Sequence, residues 1–304
     1  MESIDKELLN EITDVHEYEG AYNIRKNGQG IARNVTENVN IVAKENNTGI
    51  EVYVKENTKF ESVHIPVIIT QSGLKDVVYN DFYIGKNANV YIIAGCGIHN
   101  DNCDDSEHNG IHRFFLEEGA KVKYIEKHYG EGQGTGKRFL NPMTQIEMEK
   151  GSIFEMETVQ IKGVDSTERI TKANLMDDTN LVISEKILTH DRQYAKTVFE
   201  VNLNGENAST KVTSRAVATE DSEQIFESKV IGNSKSFGHV ECDAIIKDNA
   251  KVVAIPQVIA NNVDANLIHE AAIGKIAGEQ LIKLMTLGLS EKEAEQEIIN
   301  GFLK

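Results

Sequence analysis

The chain has 304 residues, with 48 acidic against 32 basic side chains and a formal charge of −16 at pH 7. That balance argues against a nucleic-acid binder, whose affinity rests on Lys and Arg neutralising phosphates, and no apolar run approaches the ~18–20 residues a membrane-spanning helix needs. Cys96, Cys103 and Cys242 are the only cysteines, too few for a disulfide framework, while Trp is absent and segments rich in Val, Ile and Thr lean towards β structure.

The start, MESIDKELLNEI, is acidic and amphipathic and lacks the basic and apolar regions of a signal peptide, so a cytoplasmic location is expected. Residues 2–16 read as a helix with Ile4, Leu8, Leu9 and Ile12 along one stripe. Residues 1–79 are expected to hold this helix and lead-in strands. From about 80 to 270 a repeat takes over. Stepping by fourteen from Ser152 gives Ser166, Asn180, Tyr194, Ala208, Ser222, Ser236, Ala250 and Asp264, most of them small or polar, as turns require. Four positions after each stand Met156, Ile170, Ser184, Val198, Val212, Phe226, Val240, Ala254 and Ile268. Nine positions after each stand Ile161, Leu175, Thr189, Leu203, Val217, Ile231, Ile245, Ile259 and Ile273. Each column is apolar at eight of nine places, so both are predicted to line an interior.

Fourteen residues are too few for a strand–helix unit, and a chain repeating one strand and one turn is a β-solenoid that buries its core by stacking coils. The upstream spacing from Ala88 to Ala120 to Ser152 is 32, close to twice fourteen plus an insertion, which favours a two-strand coil of 28 residues with Gly130–Gly136 as the inserted loop. After the repeat, Gly278–Leu287 reads as a helix stopped by Gly288. A second starts at Ser290, capped by its own side chain with Glu293 as capping-box partner, and carries Ala294, Ile298, Ile299 and Phe302 on one face. These helices would plug the open end of the solenoid or dock a partner.

Two clusters could carry chemistry. Cys242 and Glu270 are 28 apart, as are Glu241 and His269, so a coil of 28 would stack thiol, carboxylate and imidazole on adjacent strands. That mixture suits iron or zinc, although Cys is also a common small buried hydrophobe and His-Glu a common surface pair. The other cluster is Cys96, His99 and Cys103, followed by Glu107, His108 and His112. Its C-x₆-C spacing is looser than a zinc knuckle, and a polar loop leading into a strand explains it equally well. Enzyme motifs fail: Gly134-Thr135-Gly136-Lys137 is followed by Arg138 where a phosphate loop needs Ser or Thr, and Ile273 stands where a zincin needs its second His. No G-x-S-x-G occurs. A sugar-cleaving β-helix is disfavoured by the shortage of aromatics.

The C-terminal stretch Glu241-Cys242-Asp243, His269-Glu270-Ala271, Lys275-Ile276 and Glu279-Gln280-Leu281, then Leu287-Gly288-Leu289-Ser290 through Ile299-Asn300-Gly301-Phe302, resembles the end of SufB proteins. Upstream, Gly95-Cys96 and Ile111-His112 resemble the start of the same core domain, so the likeness covers about residues 80–304. The chain is similar to the short scaffolds of minimal SUF-type systems. The resemblance implies a right-handed parallel β-helix over 80–270 and a helical domain over 271–304 that docks a SufC-like ABC ATPase. Leu281, Leu284, Met285, Ile298 and Phe302 are the expected docking residues. It further implies a dimer, here a homodimer, transient binding of an iron–sulfur cluster through Cys242 and Glu270, and His269 at the scaffold–scaffold interface. Cys96 would accept sulfur from a cysteine-derived donor, with Cys103 and His112 as secondary candidates. The chain itself would be a scaffold and no enzyme; whether a flavin takes part stays open. The rival readings are a metal-dependent β-helix enzyme and a structural adaptor that binds no cluster.

Overall fold

The computed structural model describes residues 3–13 and 20–304. The chain winds into a β-solenoid of about 8 turns with one helix before it and two after. Its strands, numbered along the chain, form two sheets. Sheet one runs β2 (Gln29–Asn34), β1 (Ala21–Lys26), β5 (Glu61–Ile69), β7 (Asn89–His99), β9 (Lys121–Glu131), β12 (Ile153–Lys162), β14 (Asn180–Thr189), β16 (Ser209–Ala218), β18 (Phe237–Ile246) and β20 (Asn266–Gly274). Sheet two runs β3 (Val39–Ala43), β4 (Gly49–Val54), β6 (Lys75–Ile84), β8 (Ser106–Leu116), then β10 (Arg138–Leu140) with β11 (Met143–Met148), β13 (Ser166–Leu175), β15 (Tyr194–Leu203), β17 (Glu223–Gly232) and β19 (Lys251–Ala260). Each coil gives one strand to each sheet, so fourteen residues are half a coil, as the two-strand reading expects. Parallel pairing already joins β1 to β5 upstream of residue 80, and β4 pairs with residues 79–84 of β6.

The strands of the middle coils alternate between buried and outward residues, because successive side chains point to opposite faces. In β14, Leu181, Ile183, Glu185, Ile187 and Thr189 are buried while Val182, Ser184 and Lys186 face outward. Aromatic rings fill the early coils: Phe82 stacks on Phe114 with centroids 4.4 Å apart, and Phe114 meets Phe154 edge-on at 5.0 Å. Turns need left-handed backbone, supplied by Asn87, Asp178, Asp191, Asn207, Glu220 and Asp248 or by Gly119 and Gly151.

Coil length is where the strict beat breaks. Lys121 pairs with Asn89 and with Ile153, 32 residues away on each side. Downstream, Ile153 pairs with Asn180 (27 on), Ser209 with Phe237 (28 on) and Phe237 with Asn266 (29 on). A slip of one residue moves a side chain to the other face. The two columns therefore wander. Met156, Val212, Phe226 and Val240 face inward, and so do Leu175, Thr189 and Leu203, but Ile170, Ser184, Val198, Ile231 and Ile245 fall at outward positions. Ile259, Ile268 and Ile273 are exposed, and the Ile161 side chain lies outside the described ones. The inserted loop is as expected: Gly132, Gly134 and Gly136 lie against the backbone of Asn100, Asn102 and Asp104, where an added Cβ would come within 2.4 Å of backbone atoms.

Helix α1 (Ser3–Thr13) buries Leu8, Leu9 and Ile12; residues 2 and 14–16 of the expected helix lie outside the described ones. It lies on the outer face of sheet one. Gly95 and Gly97 of β7 make room for it, since a Cβ on Gly95 would stand 2.6 Å from Ile12 Cβ. Helix α2 (Gly278–Thr286) buries no residue, and α3 (Glu291–Phe302) buries Ala294 and Ile299 behind the expected Ser290–Glu293 capping box. Arg215, outward-facing on β16, donates to the Phe302 carbonyl, and Lys247 pairs with Glu295. These helices do not plug the solenoid: β19 and β20 hold no buried residue, so the last coil stays uncovered.

Candidate functional site

Cys242 faces the interior of β18 and is 1% exposed. The step to β20 is 29, and this corrects the expected stacking. Cys242 pairs with Ala271, Glu241 with Glu270, and Val240 with His269. His269 therefore shares the inward side with Cys242 as a diagonal neighbour, typically ~7–8 Å away. Glu270 turns outward and lies 3.3 Å from His239 Nε2. Burial pushes the Cys242 thiol up to about 12, with Glu185 and Asp243 adding to the shift. Burial and then the neighbouring His239 lower His269, whose Nε2 has no hydrogen-bond partner.

Cys96 is 5% exposed on the inward side of β7, one strand from its register partner His128. Burial, then Glu126, raise its thiol well above the usual range. Cys103 is exposed in the turn after β7 and does not join Cys96. The histidines around it also part company. His99, held by Asp101 at 2.8 Å and Glu131 at 3.2 Å, faces a groove. His108 and His112 point inward; His108 meets Asp76 at 3.2 Å, and burial lowers His112 to about 4. The C-x₆-C cluster is thus a linear coincidence with three destinations.

Between the two buried thiols run two adjacent polar files that local sequence reading missed. On the inward side of sheet one, Ala94, Glu126, Thr158, Glu185, Ser214 and Cys242 stand in register on consecutive strands. Cys96, His128 and Gln160 form the adjacent file. Glu126 accepts from His128 and from Arg169, each at 2.8 Å, and Glu185 accepts from Thr197 and Ser214, each at 2.7 Å. The Arg169 and His128 charges hold the Glu126 carboxyl far below its usual range, although burial alone would raise it. A void of about 10 Å³, room for a single water, touches Cys242, Ser214, Glu185, Thr197 and Gln224. The legible signal is a polar residue at the inward phase of a strand, as in Tyr124-Ile125-Glu126-Lys127-His128, but it needs the correct register to read.

The turns on one edge line an open groove of about 1210 Å³ that includes His99, Glu131, Lys162, His190, Asp191 and Glu220. Ligand atoms of His190, Asp191 and Glu220 lie within 4.8 Å of one another, the one such group of three among the described residues. Stacking of turns already employs Glu220, which accepts the Asp191 backbone N–H. On the uncovered coil, Ile255, Val258, Ile268 and Ile273 are exposed. Of the expected docking residues, Met285 is exposed, Leu281, Leu284, Ile298 and Phe302 are half-buried, and the helices also expose Ile282 and Leu287.

Comparisons with known proteins give the family. The family model "SUF system FeS cluster assembly, SufBD core domain" matches residues 67–302. An iron–sulfur cluster assembly SufBD family protein of Methanocaldococcus jannaschii is 28% identical over 256 residues, covering 83% of this chain and 80% of that one. One from Pyrococcus horikoshii is 30% identical over 85% of this chain, which spans only 57% of that relative's length. A second protein of that family from the same organism is 27% identical over 85% of this chain and 78% of its own. Two parallel sheets wound into one solenoid, an inward thiol near each end of a polar file and a family match over most of the sequence lead to one conclusion: the chain belongs to the SufBD family of iron–sulfur cluster assembly proteins.

Proposed function

We propose that the chain is the scaffold subunit of a SUF-type assembly complex, on which nascent iron–sulfur clusters are built with a SufC-like ABC ATPase. The observation that carries this reading is a pair of buried thiols on the inward side of sheet one, Cys242 at the end of the Glu126–Ser214 file and Cys96 at the end of the file beside it, five strands apart, or about 24 Å at the usual strand spacing. Cys96 takes sulfur from a cysteine-derived donor, and Cys242 is the cluster thiolate, backed by His269 on its own face. Such a set of few and mixed donors releases a cluster more readily than four cysteines. Glu270 lies outward beside His239 and joins the site from a second copy or after a shift of the last coil.

The uncovered β19 and β20 edge suits a second copy of the chain, because an open sheet edge is a template for pairing. The α2–α3 pair, with Ile282, Met285 and Leu287 exposed, suits the ATPase. ATP turnover then supplies motion at the last coil, opening the site around Cys242. The deciding experiment is anaerobic reconstitution with the ATPase, followed by iron and sulfide analysis of Cys242→Ser, Cys96→Ser and Cys103→Ser. Loss of cluster in Cys242→Ser, with Cys103→Ser unaffected, is expected. Full iron and sulfide in Cys242→Ser would move the cluster site away from Cys242, and wild-type protein that gains no iron or sulfide would return the chain to the adaptor class.

A further inference from the structure

Arg169 is the one buried Arg or Lys among the described residues, at 3% exposure. It starts on β13 of sheet two and ends against sheet one. Nη1 donates to Glu126 at 2.8 Å, Nη2 lies 3.3 Å from His128 Nδ1, and Nε is 3.9 Å from Glu185. The guanidinium therefore spans the interior beside His128, the register partner of Cys96. A buried ion pair is weak evidence for stability, since apolar residues of the same volume often do as well. Its position calls for another account.

Around it are buried polar atoms without partners: His112 Nδ1 and the hydroxyls of Thr144, Thr158 and Thr171. His112, Thr144 and Thr171 stand in register on sheet two, while Thr158 stands between Glu126 and Glu185 on sheet one. Unpaired groups at this depth call for a polar partner. Glu185 is committed to Thr197 and Ser214, which leaves Glu126 as the resting seat of the guanidinium.

We infer that Arg169 is a positioning residue for anionic sulfur on Cys96: its guanidinium holds a perthiolate, Cys96–S–S⁻, with its outer sulfur directed into the polar file. This rests on the proposed role of Cys96 as sulfur acceptor. The loading step is balanced. Cys96–SH and a donor persulfide R–S–S⁻ give Cys96–S–S⁻ and R–SH; the donor S–S bond breaks, a new one forms at Cys96 Sγ, and the thiol proton leaves with the donor. No electrons are gained or lost. Of the charged groups that act on that sulfur, Glu126 and Asp76 oppose an anion and Arg169 favours one; Asp76 is already paired with Arg25. Glu126 and the perthiolate thus compete for one guanidinium.

The competition gives opposite signs to two substitutions. Inorganic polysulfide is added anaerobically to the full chain, and sulfane sulfur on each cysteine peptide is quantified by mass spectrometry after alkylation. Arg169→Gln should lower the Cys96 perthiolate about tenfold, as one pKa unit of lost stabilisation implies. Arg169→Lys should recover much of it, and Glu126→Gln should raise it above wild type. A purely structural brace predicts that Arg169→Gln and Glu126→Gln fall together, and that result overturns the inference, as does an unchanged yield in Arg169→Gln. Should Arg169→Gln fail to fold in thermal melts, a Glu126→Gln yield at or below wild type overturns it equally. Wild-type protein that loads Cys103 or Cys242 but not Cys96 sinks the sulfur-entry reading itself.

Discussion

Cys96 and Cys242 lie on the same inward wall of the same solenoid, yet their neighbourhoods differ in kind. Cys96 sits among early coils closed on both sides: α1 covers the outer face through Gly95 and Gly97, and the interior beneath holds Glu126, His128 and Arg169. Cys242 is one strand from an end with no buried residue in β19 or β20. Both thiols are buried, but in unlike settings. On the roles proposed above, closure would shield a reactive sulfur at Cys96 from water and oxidants, whereas the uncovered coil beside Cys242 would let that thiol become a ligand once the coil moves.

The comparison breaks most sharply at the cysteines. Cys242→Ser should abolish the reconstituted cluster absorption while leaving the far-UV circular dichroism nearly unchanged. Cys96→Ser should spare assembly from free sulfide and fail only when sulfur comes from a donor persulfide. Equal loss in both variants under free sulfide would erase the distinction.

Stability should divide the same way. Phe114, fully buried between Phe82 and Phe154 in the closed region, should cost about 3–5 kcal/mol when changed to Ala, read from urea midpoints. Ile268→Ala on the uncovered coil should cost well under about 1 kcal/mol in the monomer. A much larger cost there would mean that the end is covered in solution.

Of the four imidazoles that burial lowers among the described residues, His64, His112 and His128 lie in the closed region and His269 on the last coil. His112 is lowered from 6.5 to about 4 by burial, so the folded chain binds its proton less readily than the unfolded chain does. Its contribution is complete above about pH 6.5 and is lost as pH falls towards 4, amounting to about 3 kcal/mol at most. Glu126 and Asp76, also held below their usual range, add their losses only below the ordinary carboxylate pKa of about 4. His112→Phe, placed between Phe82 and Tyr124, should flatten the slope of stability between pH 6.5 and 5; an unaltered slope would assign it to His128 or His64.

The smallest effect tests the α1 cover. Gly95→Val should collide with Ile12 and cost about 1–3 kcal/mol, while Gly274→Ala, with nothing near its Cβ, should be close to neutral. Similar costs at both positions would mean that α1 does not seal the coil in solution.

Much of this was legible without coordinates. The helix stripe of Leu8, Leu9 and Ile12, the Ser290–Glu293 capping box and the half-coil beat all rest on interactions between residues near in sequence, so local pattern suffices. The candidate site was legible only as a set of names. Cys242 and His269 were picked out, but their supposed stacking with Glu270 assumed a uniform 28-residue coil. Glu126, His128, Arg169 and Glu185 went unnoticed, since each reads alone as an ordinary charged residue of a strand.

By itself the sequence determined the solenoid, its two strands per coil and its flanking helices, because hydrophobic periodicity and turn chemistry are properties of short segments. Tertiary structure alone decided which side chains meet. In a stack of coils a change from 27 to 28 to 29 residues per step turns a side chain from core to solvent. Those steps are set by how each turn packs on the turn before it, and that packing put Glu270 outside, Cys242 inside and Arg169 across the middle.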